Sequence, residues 1–269
     1  MIKMIAIDLD GTLYAPGGVI LPEVKVAVAK AKAQGTKIVI CTGRPLPGFS
    51  KTLEELNLVE DGDIAISNNG ALVQYTKTGV VLSHFPLTGD DWLDMEVAAR
   101  KAGLHIHAIT ADGVYTPNRD IGKYTVHEAT ICDMPLYYRT ESEIGKLEIA
   151  KVMMVDEPDV LDNGIAYLPF ELFETYTMVK STPYYLELMN KKASKGNAVK
   201  ALAEKLYLDL ETEVMAIGDE ENDRSMLEAV GFPVVMENGK EALKKIAKEV
   251  TKPNTEAGVA YAIEQWVLN

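Results

Sequence analysis

Short apolar runs that each end at a polar residue are the feature that most constrains the fold of this chain. Four of them lie far apart in the sequence: residues 4–7 before Asp8, 37–41 before Thr42, 63–67 before Asn68, and 214–217 before Gly218 and Asp219. A fifth run covers residues 233–236. Continuous apolar runs of this length are typical of parallel strands that are buried on both faces.

Helical periodicity lies between these runs. Apolar residues recur with the spacing i, i+3, i+4, i+7 in three stretches, which are Val24, Ala27, Val28 and Ala31; Val199, Leu202, Ala203 and Leu206; and Val259, Ala262, Ile263 and Trp266. An alternation of buried strands and amphipathic helices predicts an α/β protein with a doubly wound parallel sheet.

The middle of the chain departs from this alternation. Residues 104–109 and 184–189 have the pattern of strands, and helical stretches lie among them. This mixed pattern predicts an inserted α/β domain over residues 85–187 that acts as a lid. Residues 1–84 and 188–269 are then expected to form the core domain together.

The polar residues that follow the strands are expected to meet at one edge of the sheet, because open α/β sheets bind ligands beyond the carboxyl ends of their strands. Asp8 and Asp10 are two residues apart, so in an extended segment their side chains point the same way. Gly11 allows the chain to turn sharply behind them. Two carboxylates this close repel each other unless a divalent cation or a proton intervenes. The pair therefore predicts a metal site or an acid–base pair.

Further residues suit a phosphate group. Thr42 and Gly43 can offer a hydroxyl and an N–H to phosphate oxygens, and Lys195 can supply a positive charge. Asp219 offers the hard oxygen ligand that Mg²⁺ prefers. Each of these residues alone also fits a helix cap or a solvated surface position. Their convergence on one edge of the sheet favours the functional interpretation.

These motifs resemble, in order, the four motifs of the haloacid dehalogenase superfamily. They are DLDGTL at 8–13, TGR at 42–44, the isolated Lys195 and GDEEND at 218–223. The insertion between the second and third motifs resembles the cap of the Cof-type branch. Further stretches are similar to that branch and to its bacterial sugar phosphatases, namely 67–71, 117–128, 151–158 and 183–189.

The resemblance implies a haloacid dehalogenase-like core with an inserted α/β cap. It implies a Mg²⁺-dependent phosphatase that hydrolyses small phosphomonoesters, above all sugar phosphates, through an aspartyl-phosphate intermediate. In such an enzyme Asp8 is the nucleophile, and Asp10 is the general acid for the leaving alcohol and then the base for water. No departure from the motifs argues for a catalytically dead protein.

The resemblance also assigns binding roles. The phosphate-binding groups would be the Leu9 backbone, Thr42, Gly43, Lys195 and Asn222. The Mg²⁺ ligands would be Asp8, the carbonyl group of Asp10 and Asp219, with Asp223 supporting them.

Composition limits the partners. A formal net charge of −13 disfavours nucleic acid and anionic membranes. No apolar run reaches the roughly 20 residues that a membrane helix needs. Cys41 and Cys132 form no disulfide framework, which suits a reducing cytoplasm. We therefore expect a cytoplasmic protein whose partner is a small phosphorylated metabolite, and the sequence contains no signal for an oligomeric state.

Two other functions fit part of the pattern. A phosphomutase with the same nucleophile needs a second phosphate site in the insertion, which Arg119 and Lys123 could provide. A non-catalytic sugar-phosphate sensor has no need of an acid at Asp10. The residues that would select the substrate follow no readable pattern.

Overall fold

The computed structural model describes residues 1–268, which form two compact units. One unit, the core unit, consists of residues 1–83 together with the described residues from Ser194 onward. The other unit, the insertion, is His84–Ala193. Within the described residues, no helix combines the length and the apolar character that a membrane crossing requires.

The strands, in chain order, are Met4–Ile7 (β1), Lys37–Cys41 (β2), Ile64–Ser67 (β3), Leu72–Tyr75 (β4), Val81–His84 (β5), His105–Ile109 (β6), Val114–Thr116 (β7), Leu136–Tyr138 (β8), Lys151–Val155 (β9), Tyr176–Thr182 (β10), Tyr185–Asn190 (β11), Val214–Gly218 (β12), Phe232–Met236 (β13) and Glu249–Thr251 (β14).

The α-helices are Pro22–Ala33 (α1), Ser50–Glu55 (α2), Gly89–Ala102 (α3), Lys123–Ile131 (α4), Glu141–Ile144 (α5), Pro158–Ile165 (α6), Phe170–Thr175 (α7), Lys195–Lys205 (α8), Arg224–Leu227 (α9), Glu241–Lys244 (α10) and Gly258–Trp266 (α11).

The core unit is built on an eight-stranded sheet in the order β14-β13-β12-β1-β2-β3-β4-β5. The strands from β14 to β3 are parallel, and β4 pairs antiparallel with β3. Side chains alternate between the faces, so that Ile5 and Ile7 pack with α1 and α11, whereas Met4 and Ala6 pack with α8 and α9. The strands are buried on both faces, as the sequence predicts, and the α/β class is confirmed.

The helices of the core unit begin and end where local chemistry allows. Pro22 starts α1, because a residue without an N–H fits the first turn of a helix. The Ser194 hydroxyl accepts a hydrogen bond from the backbone N–H of Asn197 at 3.1 Å and caps α8. This cap fixes Lys195 as the first residue of α8, directly at the edge of the sheet.

The insertion has its own six-stranded sheet in the order β10-β11-β9-β6-β7-β8. Every pairing is antiparallel except β7 with β8. One face packs against α3, which a Thr88–Asp91 capping box starts and the left-handed Gly103 ends. The other face packs against α4.

The predicted boundary between residues 187 and 188 falls inside β11. This strand pairs with β9 and β10 of the insertion through Leu188 and Met189, so the chain leaves the insertion only after Ala193. The alternation of residues 184–189 reveals a strand, but it does not reveal which strands it pairs with.

Candidate functional site

A buried ion-pair chain lies at the carboxyl end of β1. The carboxylate of Asp8 accepts a hydrogen bond from Nζ of Lys195 at 2.5 Å. The same ammonium donates to Oδ1 of Asp223 at 2.7 Å. The Lys195 side chain is fully buried, and the Asp8 side chain is 7% exposed. Three residues that are far apart in sequence therefore share one enclosed site.

Burial dominates the electrostatics of this ion-pair chain. Loss of solvent raises the pKa of Asp8 to about 8, and the charges of Asp223 and Asp219 add to the rise, while Lys195 opposes it. Burial also lowers the pKa of Lys195, but the negative charges of Asp223 and Asp8 outweigh it and hold that pKa above its usual value. Lys195 therefore stays an ammonium, while the ionised form of Asp8 is costly without a further positive charge.

Asp219 lies beside the ion-pair chain, at the carboxyl end of β12. Its backbone N–H donates to Oδ2 of Asp223 at 2.9 Å, and its Oδ1 accepts from the Thr12 hydroxyl at 2.7 Å. Burial raises the pKa of Asp219 to about 6. The nearby Gly11 has φ of +88°, and a Cβ atom there would lie 2.2 Å from Oδ2 of Asp219. The glycine thus serves both a left-handed turn and the space that Asp219 occupies.

The site contains three carboxylates that could bind a cation. One oxygen from each of Asp8, Asp219 and Asp223 lies within 4.8 Å of the others. If all three carboxylates are ionised, three negative charges face the one ammonium of Lys195, which leaves an excess of two. Oxygen ligands with an excess charge of this size fit a divalent cation such as Mg²⁺. Within residues 1–268, the side-chain hydrogen bonds of Asp8 and Asp219 engage only Oδ1 of each.

A left-handed turn after β3 forms another part of this edge. Asn68, Asn69 and Gly70 have φ values of +50°, +53° and +93°. The backbone N–H of Asn68 donates to the carbonyl oxygen of Arg44 at 3.0 Å, and that of Asn69 donates to the carbonyl oxygen of Thr42 at 2.9 Å. These bonds dock the strained turn onto the loop that follows β2.

Asn69 links two of the predicted phosphate-binding residues. Its Oδ1 accepts a hydrogen bond from Nδ2 of Asn222 at 3.4 Å. A Cβ atom at Gly43 would lie 3.0 Å from the same oxygen. The close approach explains why a glycine fits at position 43. The bond to Asn69 uses one hydrogen of the Asn222 amide, so the second hydrogen is available to another acceptor.

The loop after β2 carries Thr42, which is 1% exposed. The Thr42 hydroxyl oxygen accepts from the backbone N–H of Arg44 at 3.2 Å, so its own hydrogen can be donated elsewhere. Leu9 is fully buried, with its side chain in the hydrophobic core of the unit. Only the backbone of Leu9 can therefore serve the site, as the sequence interpretation requires.

Asp10 differs from Asp8 in its surroundings. Its side chain is 56% exposed and accepts two hydrogen bonds from Arg44, from Nη2 to Oδ1 at 2.7 Å and from Nε to Oδ2 at 3.0 Å. The two aspartates thus have separate cationic partners, a buried lysine for Asp8 and a half-exposed arginine for Asp10.

Sequence reasoning missed several residues that shape the site. It gave no role to Thr12, to the Arg44 side chain or to Asn69, although all three lie inside motifs that it singled out. It also missed Asn238, whose Nδ2 donates to the carbonyl oxygen of Gly11 at 2.8 Å. A single asparagine in a loop after β13 gives no sequence signal of this contact.

Comparison with known proteins adds an independent line of evidence. The model of the family described as haloacid dehalogenase-like hydrolase matches residues 5–263. Two relatives are named putative phosphatases. M6_Spy0533 of Streptococcus pyogenes is 54% identical over 100% of this chain and 99% of its own. YxeH of Bacillus subtilis is 43% identical, again over 100% of this chain and 99% of its own.

A solved structure has the same fold. The crystal structure of a haloacid dehalogenase-like hydrolase from Bacteroides thetaiotaomicron superposes with a TM-score of 0.87. It is 29% identical in sequence, and the match covers 98% of this chain and 99% of that one. The likeness therefore includes both the core unit and the insertion.

Proposed function

The chain belongs to the haloacid dehalogenase-like hydrolase family, and we propose that it removes phosphate from small phosphomonoesters through a covalent phosphate on Asp8. It is a phosphoric monoester hydrolase, as its relatives named phosphatases indicate. The observation that carries the finer proposal is the buried Asp8 carboxylate, held at 2.5 Å by Lys195 beside two further carboxylates.

In the first step, a carboxylate oxygen of Asp8 attacks phosphorus. The bond from phosphorus to the alcohol oxygen breaks as the bond to Asp8 forms. The protonated form of Asp10, which keeps one oxygen as an acceptor for Arg44, gives its proton to the departing oxygen. Lys195 holds Asp8 in place through its hydrogen bond, and its positive charge offsets charge on the phosphoryl oxygens. Thr42, with its hydroxyl hydrogen free to donate, and the Asn222 amide would bind those oxygens.

In the second step, water attacks the phosphorus of the aspartyl-phosphate. Asp10, now a carboxylate, takes a proton from this water, and the bond between phosphorus and the Asp8 oxygen breaks. Inorganic phosphate leaves, and Asp8 is restored as a carboxylate. A covalent intermediate divides one slow hydrolysis into two easier transfers.

Mg²⁺ is the proposed cofactor, and Asp8, the Asp10 carbonyl group and Asp219 would hold it. When bound it supplies positive charge that neutralises the phosphoryl group and the excess of carboxylates. Asp223 supports this set indirectly, because it binds Lys195 through Oδ1 and the Asp219 backbone through Oδ2. The absence of a side chain at Gly11 leaves room for the Asp219 carboxylate.

Sugar phosphates are the proposed substrate class, on the resemblance of the insertion to bacterial sugar phosphatases. The competing phosphomutase needs free cations in the insertion for a second phosphate. Lys123 instead pairs with Glu157 and lies over the Tyr124 ring. The engagement of Lys123 favours the phosphatase.

The test of the proposed function is a panel of phosphorylated metabolites with inorganic phosphate and the dephosphorylated product both measured. We expect one phosphate and one alcohol per substrate consumed. A phosphorylated isomer without phosphate release would support the mutase instead. No turnover of any ester, including p-nitrophenyl phosphate, would contradict the proposal.

An Asp10→Asn enzyme is expected to lose far more activity on glycerol 2-phosphate than on p-nitrophenyl phosphate. An alkoxide needs a proton to leave, whereas nitrophenolate does not, and a positioned acid contributes about 10²–10⁴-fold. The measurement is kcat/KM for both esters, because it reports the first transfer. An equal loss on the two esters would mean that Asp10 is not the acid.

Replacing Gly11 by alanine is expected to weaken Mg²⁺ binding, and Gly17 provides a matched control. The two glycines have φ of +88° and +86°, so alanine at either position should lower stability by about 1–2 kcal/mol. Only the Cβ atom at position 11 strikes Asp219, because nothing lies within 4 Å of the one at position 17.

The readout is the rise in melting temperature on adding Mg²⁺, together with kcat. We expect Gly17→Ala to retain both and Gly11→Ala to lose both. Equal Mg²⁺-induced shifts in the two variants would show that Asp219 does not depend on the space at Gly11.

A further inference from the structure

The half-exposed Asp10 is bound in a planar fork. Both of its carboxylate oxygens accept from one guanidinium group, that of Arg44, at 2.7 and 3.0 Å. A two-point contact of this kind fixes the orientation of the carboxylate plane as well as its position. An exposed ion pair contributes little to stability. The value of the fork therefore lies in where it places Asp10.

Arg44 is itself held along its length. Its backbone N–H donates to the Thr42 hydroxyl, and its carbonyl oxygen accepts from the N–H of Asn68 at 3.0 Å. Its guanidinium group lies 5.7 Å from the centre of the Tyr14 ring. The residue thus has its base in the Thr42–Gly43 loop and its tip on Asp10, so it joins the two parts of the site.

We propose that Arg44 is a positioning residue that sets the carboxyl group of Asp10 relative to the phosphate bound by the Thr42–Gly43 loop. This inference rests on the proposed function, in which Asp10 transfers protons. Proton transfer depends on placement within a fraction of an ångström, and a shift of about 1 Å can lower the rate by roughly a hundred-fold. Without the fork, the exposed Asp10 side chain samples other rotamers.

A lysine cannot replace the arginine in this role. An ammonium keeps the positive charge but makes no planar two-point contact with a carboxylate. Arg44→Lys and Arg44→Met should therefore have similar defects if position is what matters. If only the charge matters, Arg44→Lys should behave like the wild type.

The test is a double-mutant cycle with Arg44→Met, Asp10→Asn and the double variant, measured on glycerol 2-phosphate. We expect Arg44→Met to lower kcat by about ten- to a hundred-fold with little change in KM. The double variant should be no slower than Asp10→Asn, because Arg44 acts through Asp10. Arg100→Met is the control, since it removes a guanidinium that pairs with Glu96 within the insertion.

The outcomes distinguish a failure of the Arg44 inference from a failure of the proposed function. Losses that multiply in the double variant would show that Arg44 acts independently of Asp10, and would overturn the inference. Wild-type activity of Arg44→Met or of Arg44→Lys would overturn it as well. Full activity of Asp10→Asn would instead remove the proton-transfer role on which the inference rests. Melting curves of all variants check that the exposed substitutions leave the fold intact.

Discussion

An Asp8→Asn enzyme is expected to lose its turnover and to keep its fold. An amide of nearly the same shape cannot attack phosphorus, and the loss of one positioned catalytic group lowers kcat by about 10²–10⁴-fold. The measurement is phosphate release from p-nitrophenyl phosphate with Mg²⁺ present. More than about a hundredth of the wild-type kcat would contradict the role of Asp8 as nucleophile.

Asp63→Asn is a matched control for this substitution. Asp63 is another buried aspartate of the core unit, and it also accepts from a lysine, Lys32, at 2.8 Å. It contributes no atom to the edge of the sheet where Asp8 lies. We expect it to retain wild-type kcat, so a loss confined to Asp8→Asn cannot be assigned to the removal of any buried carboxylate.

Asp8→Asn also has an effect on stability that is separate from its effect on turnover. The folded protein binds the Asp8 proton more tightly than the unfolded chain, because burial raises the pKa from 3.8 to about 8. Protonated Asp8 therefore makes its full contribution to the free energy of unfolding below about pH 4, and this contribution is lost as the pH rises towards 8. Without Mg²⁺ at pH 9, Asp8→Asn should melt at the wild-type temperature or above it. A lower melting temperature would mean that the ion pair with Lys195 outweighs the cost of burial.

The buried parallel strands and the convergence of motifs could be predicted from the sequence for a physical reason. Parallel strands buried on both faces must be apolar throughout, so the runs before Asp8, Thr42 and Asp219 mark them without ambiguity. The carboxyl ends of such strands share one edge, which brings Asp8 and Asp219 together. The strands β5 and β14 form the two edges of the sheet and β4 lies next to β5; polar residues interrupt all three, so they carry no such signal.

The side-chain partners could not be predicted in the same way. The two-residue period of an extended segment shows to which side the Asp10 side chain points. It does not show that Arg44, which is 34 residues away, binds this side chain. The hydrogen bond between Asn222 and Asn69 joins residues that are 153 positions apart. Contacts of this kind depend on rotamers and on loop geometry, which only the folded chain determines.

Removal of Mg²⁺ is expected to abolish turnover and to lower the thermal stability of the protein. The proposed cation would offset the excess of two negative charges among Asp8, Asp219, Asp223 and Lys195 when all three carboxylates are ionised. Metal stabilisation of a phosphoryl group is worth several kcal/mol, which corresponds to a loss of roughly 10³-fold or more in kcat. The measurement is kcat in EDTA, followed by titration with Mg²⁺ to restore it.

Asp219→Asn separates the metal site from the rest of the machinery, because an asparagine keeps the shape of the side chain and removes its charge. We expect this variant to need much more Mg²⁺ for half-maximal activity, and to show a smaller Mg²⁺-induced rise in melting temperature. A ligand that binds only the folded state raises stability in proportion to the logarithm of its concentration over Kd.

Glu221→Gln is the control for Asp219→Asn, because it removes an exposed carboxylate from the same loop. Glu221 pairs with Arg224 on the surface and contributes no atom to the carboxylate set. It should therefore titrate with Mg²⁺ like the wild type. Full activity in EDTA would contradict the metal-dependent mechanism. An equal shift of the Mg²⁺ requirement in both variants would show that general acidity of the loop, and not ligation by Asp219, attracts the cation.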